Sequence, residues 1–316
     1  MTRTQISCPG IDEYLAPFLG FFHRSESREL AECYITGLLV DGERKSVEPM
    51  SEKVNASERG MQRLLSDVRW DDQGVAAAYR RLMLSATADP SGVLAIDDTG
   101  FPKKGRASVC VARQYCGASG KIDNCQIGVS MTYVGSDVAW PYAMELFIPE
   151  SWDKVDDANC VALRDKTRMP VEARYRPKWR IALELLDLAH REQVPHRAVV
   201  ADAWYGTIPE FRQELEARGE SYVLGVYATT QVFLEPPVLE VAPVRERRRG
   251  RPRKHPAVIN ANPQPVKVSE VGASIADDAW ERLELRRDSR DRPLMAEAVS
   301  LRVWPAHGWR QRHLHE

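Results

Sequence analysis

Apolar residues recur at helical spacing through the first quarter of the chain and gather into short unbroken runs after it. Ile11, Tyr14, Leu15, Phe18 and Leu19 fall on one stripe of a helix. Ser27 offers an N-cap for a second helix through Leu30, Cys33, Tyr34 and Leu38 to Leu39. A short helix over Pro49–Val54, the turn Asn55-Ala56-Ser57 and a further helix from Glu58 to Val68 have the spacing of a helix-turn-helix. Its second helix would present Arg59, Gln62 and Arg63 to a DNA groove, although many helical domains carry such a pair without DNA. A last helix, Gln73–Ala86, with Arg80 and Arg81 exposed, would close a helical domain over residues 1–88.

The pattern then changes. Val93-Leu94-Ala95-Ile96 is a short apolar run bounded by Pro90-Ser91-Gly92, and it leads into Asp97 and Asp98. Ser108–Tyr115 alternates as a second strand and Asn124–Val134 as a third, joined through Gly117-Ala118-Ser119-Gly120. Ala139–Ile148 extends or pairs with the third. Residues 149–176 are polar and irregular and read as a surface excursion. Pro177 opens a helix through Ile181, Leu185, Leu188 and Ala189. Ala198-Val199-Val200-Ala201 is a second apolar run that ends on a carboxylate, Asp202. A helix from Pro209 to Arg218, stopped by Gly219, and a strand over Ser221–Val226 follow.

Three strands, helix, strand, helix, strand is the order of a ribonuclease H-like core, a mixed α/β sheet with helices packed on it. This predicts a core over 89–226 without the final helix of that fold, and a strand-rich insertion over 227–316. Within the insertion, seven prolines between Pro236 and Pro265 exclude a long helix. Ser274–Trp280 reads as a short helix and Ala298–Trp304 as a strand.

Composition narrows the class. The chain has 316 residues, 43% hydrophobic and 28% charged, enough for a substantial core. No apolar run approaches the roughly 18 residues of a membrane span, and the N-terminus lacks the apolar core of a signal peptide. Six cysteines show no C-x-x-C spacing, which argues against a zinc finger or a disulfide framework and for reduced cytoplasmic thiols. The net charge of −1 conceals a block, Arg245–Lys254, with seven basic residues and one acidic. A partner of opposite charge is therefore a matter of local patches.

The chemistry centres on the two strand-end acids. In the inferred sheet the strands ending at Asp97 and Asp202 are neighbours. Close carboxylates repel unless they share a proton or a divalent cation. Oxygen donors suit Mg²⁺, with Mn²⁺ as substitute, and such ions activate one oxygen and stabilise another in phosphodiester displacement. Strand alternation lets only one of Asp97 and Asp98 face Asp202 and does not choose between them. Lys103, Lys104 and Arg106 follow at once and either hold phosphates or balance that charge. Arg249-Gly250-Arg251-Pro252, continued by Arg253 and Lys254, is similar to the core of an AT-hook, whose arginines enter a narrow minor groove, and reads equally well as a solvated basic loop. The tryptophans Trp140, Trp152, Trp179, Trp204 and Trp280 fit a core better than base stacking, and Trp204, just past Asp202, is the one to test for contact with DNA.

Asp97-Asp98-Thr99-Gly100-Phe101-Pro102-Lys103-Lys104-Gly105 resembles the first acidic motif of bacterial insertion-sequence transposases of the DDE type, in the branch where it reads D-[DE]-T-G-F-x-K-K-G. Ser108–Tyr115, Gly117–Gln126, Val200–Gly206 and Gly42–Pro49 are similar to further segments of that branch, in order. The resemblance implies Asp97 as the fixed metal ligand, Asp98 as its outward-facing neighbour and Asp202 as the second acid. It implies Mg²⁺-dependent cleavage at element ends and transfer of the freed 3′ hydroxyl to target DNA. Double-stranded DNA, a homodimer on it and a nucleoid-associated cytoplasmic location go with that activity. The family's third acid, a Glu in an R-W-x-I-E-E-x-F-like run, has no counterpart here, so the chain reads as a truncated copy. The rival expectations are a non-catalytic DNA-binding derivative and a metal-dependent nuclease or phosphatase on the same core.

Overall fold

The computed structural model describes residues 10–42, 44–240, 257–258, 264–287 and 290–306. The chain forms two compact units. One runs through Pro90 and includes Gly135–Val138; the other holds Ser91–Val134 and the residues from Ala139 onward.

The first unit is helical: α1 Ile11–Leu19, α2 Ser25–Leu39, α3 Val47–Val54, α4 Glu58–Ser66 and α5 Asp72–Thr87. Leu15 and Phe18 of α1 bury against Ala78 of α5, as the apolar stripe requires. The α3–α4 connection turns at Asn55, whose φ of 54° is the left-handed conformation that asparagine tolerates. Ser57 then caps α4 by accepting the Gly60 N–H at 3.1 Å. Two expectations change. Ser27 lies buried inside α2, which starts two residues earlier, at Ser25. Arg80 is buried rather than exposed: two residues past Ala78 it lies on another side of α5, so the helix is covered on more than one face.

The second unit is built on a six-stranded mixed sheet: β1 Val93–Pro102, β2 Ala112–Cys116, β3 Lys121–Val134, β4 Ala139–Leu146, β5 Ala198–Ala201 and β6 Tyr222–Leu224. The order is β2-β3-β1-β5-β6, with β4 also on β3. Its helices are α6 Ala158–Lys166, α7 Lys178–Arg191, the single turn α8 Ala203–Gly206 and α9 Pro209–Ala217. Strands β1, β3 and β4 pair antiparallel, while β1, β5 and β6 run parallel. This is the mixed sheet of a ribonuclease H-like fold. Leu94, Ile96, Val129, Met131 and Tyr133 share one fully buried face, and α7 contributes Ile181, Ala182, Leu185, Leu186 and Ala189 to the buried core.

Several boundaries differ from the sequence reading. The second strand begins at Ala112, since Cys110 takes a positive φ of 59° and Ser108–Cys110 form a turn. Residues 149–176 are not a surface excursion: they fold into a 3₁₀ turn and α6 around buried Trp152, Cys160, Arg164 and Met169. Past β6 the described strands are short: Gln231–Phe233, Val266–Lys267 and Trp304–Pro305 form one small sheet, and Glu281–Arg287 pairs with Pro293–Ala298. The predicted helix at Ser274–Trp280 is displaced to α10 Val268–Ser274 plus a 3₁₀ turn at Asp277–Ala279. The predicted strand Ala298–Trp304 is instead the gap between two strands.

Candidate functional site

The two acidic strand ends meet, with one change to the geometry. Asp97 does not terminate β1. The strand runs on to Pro102, because Thr99–Pro102 keep pairing with Gly128–Cys125 of β3. The neighbour on the other side stops early: the β1–β5 ladder ends at Ile96 opposite Ala201. Asp97 and Asp202 are the next residues on their strands, level with each other in a parallel pair. Asp202 keeps an extended backbone, φ −72° and ψ −178°. Level residues of paired strands share a face, so Asp97 and Asp202 follow Ala95 and Val200. Beyond this point the β5 edge of β1 is unpaired, and a cleft of about 770 Å³ opens there, lined by Asp97, Asp98, Asp202, Lys178, Trp204 and Tyr227 among others.

Each of these two carboxylates is fixed by one oxygen. Asp97 Oδ1 accepts the Asp98 N–H at 2.7 Å. Asp202 Oδ1 caps α8, accepting the N–H groups of Trp204 at 3.0 Å and Tyr205 at 3.2 Å. The Oδ2 atoms have no partner among the described residues. Two exposed carboxylates with an available oxygen each are a donor set that suits Mg²⁺ or Mn²⁺. α8 can hold Asp202 close to the sheet because position 206 is glycine. A Cβ there would fall 1.9 Å from the carbonyl oxygen of Gly225.

Asp98 is not outward-facing. Alternation sends it to the opposite face from Asp97, the side of Ile96 and of α7, and it is the better buried of the two. Its Oδ2 accepts from Lys178 Nζ at 2.6 Å and its Oδ1 from the Tyr205 hydroxyl at 2.9 Å. Neither partner was legible in the sequence, though one signal existed. Lys178 occupies the first position of α7, where the helix dipole disfavours a cation. A carboxylate partner resolves that conflict. The Lys178 ammonium also lies 5.5 Å from the centre of the Trp204 ring and 5.3 Å from that of Phe147. Burial, reinforced by the Asp98 carboxylate, pushes the Tyr205 phenol far above its ordinary range, so Tyr205 remains a donor at every physiological pH. Tyr205→Phe should lower stability by about 2 kcal/mol, the value of a hydrogen bond to a charged group, read as a shifted midpoint of urea unfolding.

The basic residues divide. Lys103, Lys104 and Arg106 are not beside the acids. β1 carries the chain five residues past Asp97, to Pro102, which sets Lys103 roughly 20 Å on at 3.3 Å per residue, and none of the three lines the cleft. Arg59, Gln62 and Arg63 are exposed on α4, opposite buried Met61 and Leu64. Arg63 also borders a hollow of about 460 Å³ with Arg24, Arg69 and His23. Arg249, Arg251, Arg253 and Lys254, with the rest of the Arg245–Lys254 block, lie outside the described residues. Trp204 is 38% exposed at the cleft, whereas Trp140 and Trp152 are buried. No described helix is long and apolar enough to cross a membrane.

Comparison with known proteins gives the family. A probable transposase for insertion sequence element IS701 from Microchaete diplosiphon is 25% identical over 228 residues, 72% of this chain and 56% of the relative. The chain thus spans about half the length of the curated relative it matches. Residues 17–292 match the family model described as DDE superfamily endonuclease, a span that runs from the end of α1 past the strand Glu281–Arg287 and takes in every element of the cleft. The chain belongs to the DDE superfamily endonuclease family.

Proposed function

We propose that this protein is an insertion-sequence transposase that cuts and joins DNA strands at the cleft between β1 and β5. The observation that carries the reading is the level placement of Asp97 and Asp202 at the point where the β1–β5 ladder ends. These two would hold Mg²⁺, or Mn²⁺ in its place. A divalent ion bound there supplies a lowered pKa for an attacking hydroxyl and charge stabilisation for the leaving oxygen.

The remaining roles belong to the chain itself. Asp202 is held by two backbone N–H groups at the start of α8. Asp98 has its charge offset by Lys178 and orients Tyr205, which anchors α8 to the sheet. Trp204 offers a partly exposed ring to a nucleotide base, a contact that tolerates any sequence. Helix α4 would enter a groove of double-stranded DNA with Arg59, Gln62 and Arg63, and the basic block 245–254 would add sequence-independent attraction. We read 227–316 as an insertion into the core, and the active species as a dimer on the DNA.

The test is incubation of the purified chain with duplex carrying the DNA that flanks its own reading frame, with and without Mg²⁺ or Mn²⁺. Divalent-dependent nicking supports the reading. Salt-sensitive binding without nicking supports the non-catalytic alternative. Removing two phosphate contacts in the variant Arg59→Ala/Arg63→Ala should reduce the slope of log affinity against log salt by about 1.8, at roughly 0.9 per contact. An unchanged slope would take α4 away from the DNA.

A further inference from the structure

A second cluster of ligand-type side chains lies at the other end of β5. His190 sits in the last turn of α7, His196 in the connector that leads into β5, and Glu220 between Gly219 and β6. Gly219 makes this approach possible, with φ at 75°. β5 ends toward Asp202, so this cluster marks the opposite edge of the sheet from the cleft. The ligand atoms of the three side chains all lie within 4.8 Å of one another.

We propose that His190, His196 and Glu220 form a binding site for one divalent transition-metal ion of the zinc class. Hydrogen-bond bookkeeping leads there. His196 Nδ1 lies 2.8 Å from the Val194 carbonyl oxygen. A carbonyl only accepts, so Nδ1 carries the proton, and in the neutral ring Nε2 is the bare nitrogen. That bare nitrogen points at Glu220 Oε2, 3.1 Å away, which is also an acceptor. His190 Nε2 meets the other carboxylate oxygen, Oε1. The two imidazoles stack at 16° and aim at one carboxylate whose side chain is 8% exposed. The His196–Glu220 contact, lone pair to lone pair, needs a cation between the two or a proton on the ring, and His190 Nε2 stands on the same carboxylate, able to donate to it or to turn its lone pair to a metal.

A metal fits the geometry. A ligating histidine almost always donates its other ring N–H to a carboxylate, a backbone carbonyl or water, and His196 donates its own to the Val194 carbonyl. Ligand atoms about 2.0–2.1 Å from a tetrahedral zinc stand roughly 3.3 Å apart, close to the 3.1 Å between His196 and Glu220. Two imidazoles and one carboxylate are a zinc donor set that leaves the fourth position for water. His190 is partly exposed, which gives the ion a route in. Bound there, the ion would tie the end of α7 to the starts of β5 and β6.

The site is independent of the carboxylate cleft, and its test does not use activity. The full chain, stripped with a chelator and then held in excess Mg²⁺ to occupy the carboxylate cleft, is titrated with ZnCl₂ by calorimetry and with CoCl₂ by absorption. The expected result is one ion per chain, tetrahedral cobalt bands without a thiolate charge-transfer band, and a melting temperature that rises with Zn²⁺. Glu220→Gln and His196→Ala should each weaken binding by more than about 100-fold, beyond the 10–100-fold typical of losing an outer-shell partner. Asp202→Asn should leave zinc uptake unchanged. Absence of stoichiometric Zn²⁺ binding, thiolate bands with Co²⁺, or undiminished binding by Glu220→Gln would each overturn the assignment.

Discussion

Asp202→Asn should abolish divalent-dependent strand cleavage, by at least about 10³-fold, while the chain stays folded and keeps its affinity for DNA. The size follows from what is removed. A 10³-fold loss is about 4 kcal/mol of barrier, a modest demand on a carboxylate that holds a cation in a phosphodiester displacement. Asparagine is the informative substitution because Asp202 has two duties. Its Oδ1 caps α8 through Trp204 and Tyr205, and asparagine caps a helix about as well as aspartate. The turn therefore survives while the negative charge does not. Asp97→Asn should lose as much, since its backbone pairing with Ser130 is unaffected by the side chain. Asp98→Asn should behave differently. Its single amide oxygen can accept from only one of Lys178 and Tyr205, and the charge opposite Lys178 is gone, so the loss should be of stability more than of cleavage. Equal cleavage losses for Asp97→Asn and Asp98→Asn would reassign the metal to both acids. Full activity in Asp202→Asn would remove the cleft from the mechanism. Cleavage rates at matched Mg²⁺, beside gel-shift affinity in EDTA, separate these outcomes.

Much of the scaffold for that experiment is legible in the sequence. An apolar run of four ending in aspartate occurs twice, and both runs became neighbouring parallel strands. The turn Asn55-Ala56-Ser57 carried its own stop and start signals, a left-handed asparagine followed by a serine cap. What failed shares one cause, partners distant in sequence. β1 outlasts its apolar run because β3 is long enough to keep pairing with Thr99–Pro102. A reading based on local hydrophobicity stops at Asp97 and so puts Lys103 next to the acids. Asp98 looked solvent-facing because Lys178 and Tyr205, 80 and 107 residues away, gave no local sign of reaching it. Gly100 has the same character. A Cβ there would lie 2.6 Å from the Cys116 sulfur, so the residue is small for a strand that folds over it, not for a turn.

The segment 149–176 shows the same failure on the scale of a subdomain, and it yields the largest expected stability effect: Arg164→Met should cost about 3–5 kcal/mol. The sequence looks polar there because its organising residue is an arginine. Arg164 is buried on α6 and donates to the carbonyls of Trp152 at 2.8 Å, Pro170 at 3.0 Å and Ala173 at 2.8 Å. These carbonyls come from both ends of the segment, so one guanidinium closes it. Asp153 stands 4.0 Å from Arg164, with its Oδ1 buried and without a hydrogen bond among the described residues. Methionine fills much of the volume but leaves the carbonyls unpaired and the Asp153 charge without its buried cation. Arg174, 3.7 Å from Asp153 on the exposed side, offsets part of that charge but none of the carbonyls. Lysine should recover little, since a single ammonium cannot serve acceptors spread around a planar fork. Arg164→Met/Asp153→Asn should regain part of the loss by removing the stranded charge, the signature of coupling in a double-mutant cycle. The measurement is the urea midpoint of the second unit at unchanged m-value. A loss below about 1 kcal/mol would mean that water replaces the guanidinium and that the segment closes on Trp152 and Met169 alone.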